Sequence, residues 1–157
     1  MAKITGYSYI PQVYQNPNIN QFVQVYLPMI PVRLSYAWGQ LSPFFDAVID
    51  SGSDRNLFPM MLARYIGIEF GKIKSNKVYG IGQGYIQVYP AKINIWLGNN
   101  KYETDADFSD NQSIPILGRN GFFNLFKSIK FDEKGQFVYY RRVMISLEGS
   151  SWFIVKI

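Results

Sequence analysis

Residues 44–59 read FFDAVIDSGSDRNLFP, an apolar run that ends on a carboxylate, Asp50, and passes at once into Ser51-Gly52-Ser53. A carboxylate at the end of a buried strand gives up hydration. Such a group is paired, hydrogen-bonded by the amides of a tight loop, or kept for chemistry. Which of the three applies depends on what the rest of the chain builds around it.

Upstream, Ile30, Val32, Leu34, Tyr36 and Trp38 alternate with Pro31, Arg33, Ser35 and Ala37, the two-residue period of a strand with one buried face. Gly39-Gln40 then turns the chain into the strand that ends at Asp50. Downstream, Leu57, Met61 and Tyr65 recur four apart with Leu62 and Ile66 beside them, which predicts a short helix with Pro59 in its first turn and an end near Gly67. In residues 77–108, strand-like segments flank a glycine cluster at 80–84 and an Asn99-Asn100 turn, the pattern of two hairpins. Apolar residues fall on even positions at Ile86 and Val88 but on odd ones at Ile93, Ile95 and Leu97, so a bulge or bend is expected near Pro90.

Residues 113–140 read as a short apolar strand, then Gly118, then a helix of about two turns carrying Phe122, Phe123 and Phe126 on one side, then a hairpin turning at Glu133-Lys134-Gly135. Residues 143–157 are strand-rich and close on apolar residues, which suits a C-terminus paired into a sheet. The opening 1–27 is polar and without a period, an extended arm or irregular cover. The expectation is a mainly β fold with one or two short helices: an N-terminal extension (1–27), a core domain (28–131), and a strand-rich C-terminal extension (132–157) packed on the same domain.

At 157 residues, 48% of them hydrophobic and 17% charged, the composition is that of one folded domain and excludes a disordered chain. Cysteine and histidine are both absent. That removes disulfides, metal centres of the Cys/His kind and nucleophilic sets that need a histidine base. Acid–base chemistry near neutral or acid pH falls to carboxylates, with no metal and no cofactor expected. The formal charge of +5 is spread from Lys3 to Lys156 and is doubled up only at Arg141-Arg142, a solvated surface and not a nucleic-acid footprint. No apolar run approaches the length of a bilayer, and the first residues lack the basic-then-apolar pattern of a signal peptide, so a cytoplasmic protein with no membrane partner is expected.

Three stretches then fall in a particular order: AVIDSGSDRNLF, VYGIGQGYIQV and IPILGRNGFF. That order resembles the retroviral-type (retropepsin-like) aspartic proteases, in which an apolar strand ends in Asp-Thr/Ser-Gly, a glycine-rich hairpin forms a flap, and an apolar pair precedes Gly-Arg-Asn/Asp. The resemblance covers roughly residues 30–131 and points to a cellular or prokaryotic relative. It implies a retropepsin-like acid protease barrel that is active as a two-fold dimer. Only one Asp-Ser-Gly is present, so the resemblance is to the half-enzyme members, in which two identical subunits each give one Asp50. The implied activity is that of an aspartic endopeptidase acting on a peptide or protein substrate. A water is activated by two carboxylates that share one proton, because two such groups in contact are not both ionised cheaply.

By the same resemblance Asp50, Ser51 and Gly52 form the catalytic motif, with the Ser51 hydroxyl bonding across the dimer and Gly52 admitting the substrate backbone. Ser53 and Asp54 contact substrate, and Asp54 pairs with Arg119 of Gly-Arg-Asn, where Arg119 and Asn120 give structural support. Tyr79, Gly80, Ile81 and Gly82 belong to the flap, with Ile81 closing over the peptide. Leu57, Tyr79, Ile114 and Ile116 line side-chain pockets suited to apolar or aromatic residues.

Other readings of these residues carry less. Asp50 as a plain turn residue leaves the other two stretches unexplained. Ser51 or Ser53 as a nucleophile has no histidine base. The glycine cluster lacks the Lys-Ser/Thr that follows a phosphate loop. Asp105 and Asp107, beside Glu103, read as solvated edge charges before a metal site. Tyr139-Tyr140 beside Arg141-Arg142 reads as sheet packing before a surface for single-stranded nucleic acid. The alternative function is a catalytically silent protein of the same fold that binds peptides or serves as a dimerisation module.

Overall fold

Ile30, Val32 and Leu34 have no exposure at all, and the strand that carries them is the seam on which the main sheet closes. The computed structural model describes residues 4–18, 20–71, 73–80 and 84–142. In chain order the elements are β1 (Ile4–Ser8), β2 (Ile10–Asn16), β3 (Gln21–Leu27), β4 (Met29–Ser35), β5 (Phe45–Ile49), β6 (Leu57–Pro59), α1 (Met60–Tyr65), β7 (Asn76–Tyr79), β8 (Tyr85–Leu97), β9 (Asn100–Ser109), β10 (Ile116–Leu117), β11 (Phe126–Asp132) and β12 (Phe137–Arg142). The fold is mainly β.

The large sheet runs β4-β5-β10-β6-β9-β8-β7, and β4 also pairs with β8, with Arg33 opposite Trp96 and Leu34 opposite Ile95. It therefore closes into a barrel from which β7 hangs as an outer strand. Closure leaves those strands no free edge. Inward-facing residues from every side, among them Ile49, Phe58, Ile95, Phe108 and Leu117, share one core with Ile66 of the segment after α1. A second sheet, β1-β12-β11, packs its buried Val138 and Tyr140 against the same core, and the Phe126 ring lies 4.6 Å from that of Tyr140. Among the described residues β2 and β3 pair only with each other.

Several expectations change here. The N-terminal segment is not an irregular cover: β1 pairs with β12, Ile4 opposite Arg141 through Ser8 opposite Phe137, and β2–β3 is a regular hairpin. Its polar composition conceals strands because neither face of the hairpin is deeply buried. The alternation after Leu34 stops at Ser35. There Ser42 caps the strand, its N–H donating to the Leu34 carbonyl (2.8 Å) and its hydroxyl accepting from the Leu34 N–H (2.8 Å), and Trp38 is left fully exposed on the turn.

The short helix α1 exists and gives way to Gly67 at φ +84°. Its buried side is Met60, Ala63 and then Ile66, while Met61 and Tyr65 face solvent. Both stripes have helical spacing, and the buried anchors Phe58 and Pro59 just before the helix set which one turns inward. The phenylalanine run after Gly118 forms one 3-10 turn, Phe123–Leu125, and not two helical turns, because β11 begins at Phe126. β8 passes Pro90 without a register shift against β9, from Tyr89 opposite Phe108 to Leu97 opposite Asn100. What changes near Pro90 is the partner, β7 before it and β9 after it, which explains the switch of apolar parity without a bulge. The turn expected at Asn99-Asn100 falls one residue earlier, at Gly98-Asn99, because Asn100 already opens β9 opposite Leu97, and the turn at 133–136 includes the expected Glu133-Lys134-Gly135. Residues 143–157 lie outside the described residues.

Candidate active site

β10 lies between β5 and β6, parallel to the first (Ile116 opposite Val48, Leu117 opposite Ile49) and antiparallel to the second (Ile116 opposite Leu57). The chain from β5 to β6, which holds Asp50, must therefore arch across the end of β10. There it meets the turn Gly118-Arg119-Asn120. The two segments dovetail through their backbones: the Asp50 N–H donates to the Leu117 carbonyl at 3.0 Å, the Arg119 N–H to Ser53 at 2.9 Å and the Asn120 N–H to Asp54 at 2.7 Å.

Fully buried Asn56 locks the joint. Its Oδ1 accepts from the Gly118 N–H (3.0 Å), its Nδ2 donates to the Asp105 carbonyl (3.1 Å), and its own carbonyl accepts from the Asp107 N–H (2.9 Å). A Cβ at residue 118 would collide with the Arg55 carbonyl, so only glycine fits there.

Asp50 is half-buried at the end of β5, and its Oδ1 accepts from the Gly52 N–H at 2.8 Å. The same loop closes through the Ser53 N–H to the Asp50 carbonyl at 3.3 Å, and the Ser53 hydroxyl donates to the Arg55 carbonyl at 2.9 Å. Ser51 and Gly52 stand exposed beside the carboxylate. The carboxylate is thus oriented by its own loop and offered at the rim of the barrel.

Beside this loop lies a cleft of about 680 Å³, bounded by residues 52–55 and Leu57 on the barrel side, by residues 77–80 and 84–86 of the β7–β8 hairpin opposite, and by Asp107. The hairpin closes with the Gly80 N–H donating to the Gly84 carbonyl at 3.1 Å. Tyr79 and Tyr85 face each other across it with ring centroids 5.9 Å apart, and the Lys77 ammonium lies 4.3 Å from the Tyr85 ring centre. The structure thus brings Gly52, Ser53, Asp54, Leu57, Tyr79 and Gly80 to one cleft. Ile116 sits in β10 and Ile114 just before it, half exposed, and neither lines that cleft in the single chain. Ile81 and Gly82 lie outside the described residues.

No ion pair joins Asp54 to Arg119; their segments meet through backbone hydrogen bonds alone. The ion pair at the site is Arg55 Nε to Asp107 Oδ2, 2.8 Å. Asp107 is not a solvated edge charge like its neighbour Asp105. It is buried on β9, and its Oδ1 is enclosed without a hydrogen-bond partner among the described residues. Burial pushes its carboxyl above the ordinary value, and the Arg55 guanidinium pulls it part of the way back. The sequence hid this pair because the two residues meet only through the parallel register of β6 and β9, Leu57 opposite Asp107.

No protein-family model and no curated protein sequence matches the chain. Solved structures do. The described architecture is similar to a retropepsin-like aspartic protease from Rickettsia conorii, with a TM-score of 0.56 at 12% identity over 90% of this chain and 94% of that one. The chain has a retropepsin-like fold. EIAV protease in complex with an inhibitor overlaps at a TM-score of 0.47 and 17% identity, over 59% of this chain and 82% of that one; the fold assignment rests on the rickettsial structure. In this retropepsin-like chain Asp50, the β7–β8 hairpin and the Gly118 turn occupy one end of one barrel, although up to 68 residues separate the outer two in sequence. Among the described residues no helix is long and apolar enough to cross a membrane.

Proposed function

We propose that the protein is an aspartic endopeptidase whose active site is completed when two copies bring their Asp50 carboxylates together. The observation that carries this reading is the dovetail of the Asp50 loop with the Gly118 turn. It presents a loop-held carboxylate at the barrel rim, beside a cleft roofed by a glycine-tipped hairpin.

Peptide hydrolysis here has no histidine or cysteine to call on, and one carboxylate cannot act at once as base toward water and acid toward the departing amine. Two Asp50 groups sharing a proton supply both: the ionised one removes a proton from the water that attacks the carbonyl carbon, and the protonated one supplies the proton that the amine nitrogen needs as the C–N bond breaks. Ser51 and Gly52 flank the carboxylate. The β7–β8 hairpin acts as a flap over the bound peptide, with Gly80, Ile81 and Gly82 at its tip. Ser53, Asp54, Leu57 and Tyr79 contact the peptide, Ile114 and Ile116 extend the pockets once the second copy is present, and Arg119 and Asn120 hold the Asp50 loop through their backbone bonds.

The deciding experiment is cleavage of an unfolded protein from pH 3 to 8 by the wild type and by Asp50→Asn, with sedimentation of both. Loss of at least a thousandfold in kcat with the dimer intact is expected. Cleavage that survives the substitution would sink the proposal. A wild-type dimer that cleaves nothing at any pH would move the assignment to a peptide-binding or dimerisation module of the same fold.

A further inference from the structure

Residues 4–32 contain no Asp, Glu, Lys or Arg at all, although 17% of the chain is charged. Within that stretch β2 and β3 form a two-stranded ribbon that no other strand among the described residues extends. Exposed edges are normally guarded by charge, and an isolated ribbon is only marginally stable in water. This one has no such guard. The register puts Val13 opposite Gln24, Gln15 opposite Phe22 and Pro11 opposite Tyr26, so these pairs share one face. On it Val13 is 64% exposed, Phe22 77% and Tyr26 44%. The other face is tied back to the barrel, where the Gln12 amide donates to the Met29 sulfur at 3.6 Å.

The place of the ribbon matters as much as its composition. β3 runs through Pro28 directly into β4, and the Pro28 carbonyl accepts from the N–H of Ile49, the residue before Asp50, at 2.8 Å. The base of the ribbon therefore stands beside the catalytic strand end, and a seven-residue strand reaches roughly 23 Å from it. We infer that the β2–β3 ribbon is an arm that clasps a second copy of this chain, laying Val13, Phe22 and Tyr26 on the partner beside the paired Asp50 loops. The inference rests on the proposed function for its choice of occupant: a site that needs a second Asp50 must bring another copy to this end of the barrel, where the uncharged face is waiting.

The test is sedimentation across concentration for the wild type, Phe22→Lys, Val13→Lys, and a chain in which residues 12–25 are replaced by an Asn-Gly turn, with Met61→Lys as a control at an exposed apolar residue of α1. The three arm variants should raise the dimer dissociation constant at least tenfold, the two lysine variants with an unchanged circular dichroism spectrum and the shortened chain with only the ribbon's own strand signal lost, because among the described residues the ribbon pairs only with itself. Met61→Lys should leave it unaltered. Cleavage by Phe22→Lys should fall at low protein concentration and return toward the wild-type kcat at high concentration. A dissociation constant unmoved by all three variants overturns the arm while leaving the Asp50 chemistry standing if cleavage persists. Conversely, a dimer that the variants dissociate but that never cleaves keeps the arm and removes the protease reading. A wild type that is monomeric throughout overturns the arm and assigns the apolar face to cover from residues 143–157 or another partner.

Discussion

Arg55 and Asp107 make the pair on which the cleft's electrostatics turn. Asp107 holds its carboxyl above the ordinary value in spite of the guanidinium, so the stability linked to this group is complete below about pH 3.8 and declines as pH rises through the folded value. Taking Arg55 away removes the influence that lowers it. Arg55→Met should therefore cost about 1–3 kcal/mol at pH 7, less than a fully buried pair because Arg55 is 45% exposed, and markedly less at about pH 3, below the ordinary carboxylate value, where a carboxyl raised by burial is neutral. Urea unfolding at the two pH values, in an Asp50→Asn background to prevent self-cleavage, reads this directly; a loss independent of pH would contradict the ion-pair account. Asp50-Ser51-Gly52 could be picked out of the sequence because its elements are contiguous. The Arg55–Asp107 pair could not, since alternation along a strand tells which residues share a face and not which face another strand will cover.

β1 shows how a segment without hydrophobic periodicity earns its place by pairing. Tyr7 stacks on the buried Tyr140 ring with centroids 6.1 Å apart, and five ladder positions join β1 to β12. A chain that starts at Tyr9 should lose this stacking and uncover the β12 edge, lowering the thermal midpoint by roughly 5–10 °C. Circular dichroism melts of the Asp50→Asn protein with and without residues 1–8 give the answer, and an unchanged midpoint would mean that the small sheet stands without β1. The hairpins β7–β8, β8–β9 and β11–β12 were legible because glycine, asparagine and Lys-Gly turns interrupt apolar runs. The inward face of α1 was not, because a six-residue helix offers two overlapping stripes and only its docking on the barrel chooses between them.

The barrel and the small sheet meet along a tyrosine-rich seam that should make the whole molecule sensitive to alkali. Burial raises the phenols of Tyr9 and Tyr102 to about 12 and that of Tyr7 further, with the Glu133 hydrogen bond adding to the effect at Tyr9. Each phenol is thus raised in the folded state, so its contribution is intact below pH 10 and is lost as pH climbs from 10 toward 12, with about 1.4 kcal/mol per pH unit as the upper limit for any one tyrosine. Unfolding free energies at pH 9, 10 and 11, followed with tyrosinate absorbance, test this; a flat profile would show that the seam opens before the phenols ionise. The amino-acid order alone established a β-rich chain, the carboxylate at a strand end, the glycine-tipped hairpin and the absence of any histidine or cysteine chemistry, because each of these is local or compositional. The closure of β4 on β8, the burial of Asp107, the pairing of β1 and the standing ribbon of β2 and β3 were decided only by the folded chain. These depend on which distant strand covers which edge, and a periodic pattern carries the need for a partner without naming it.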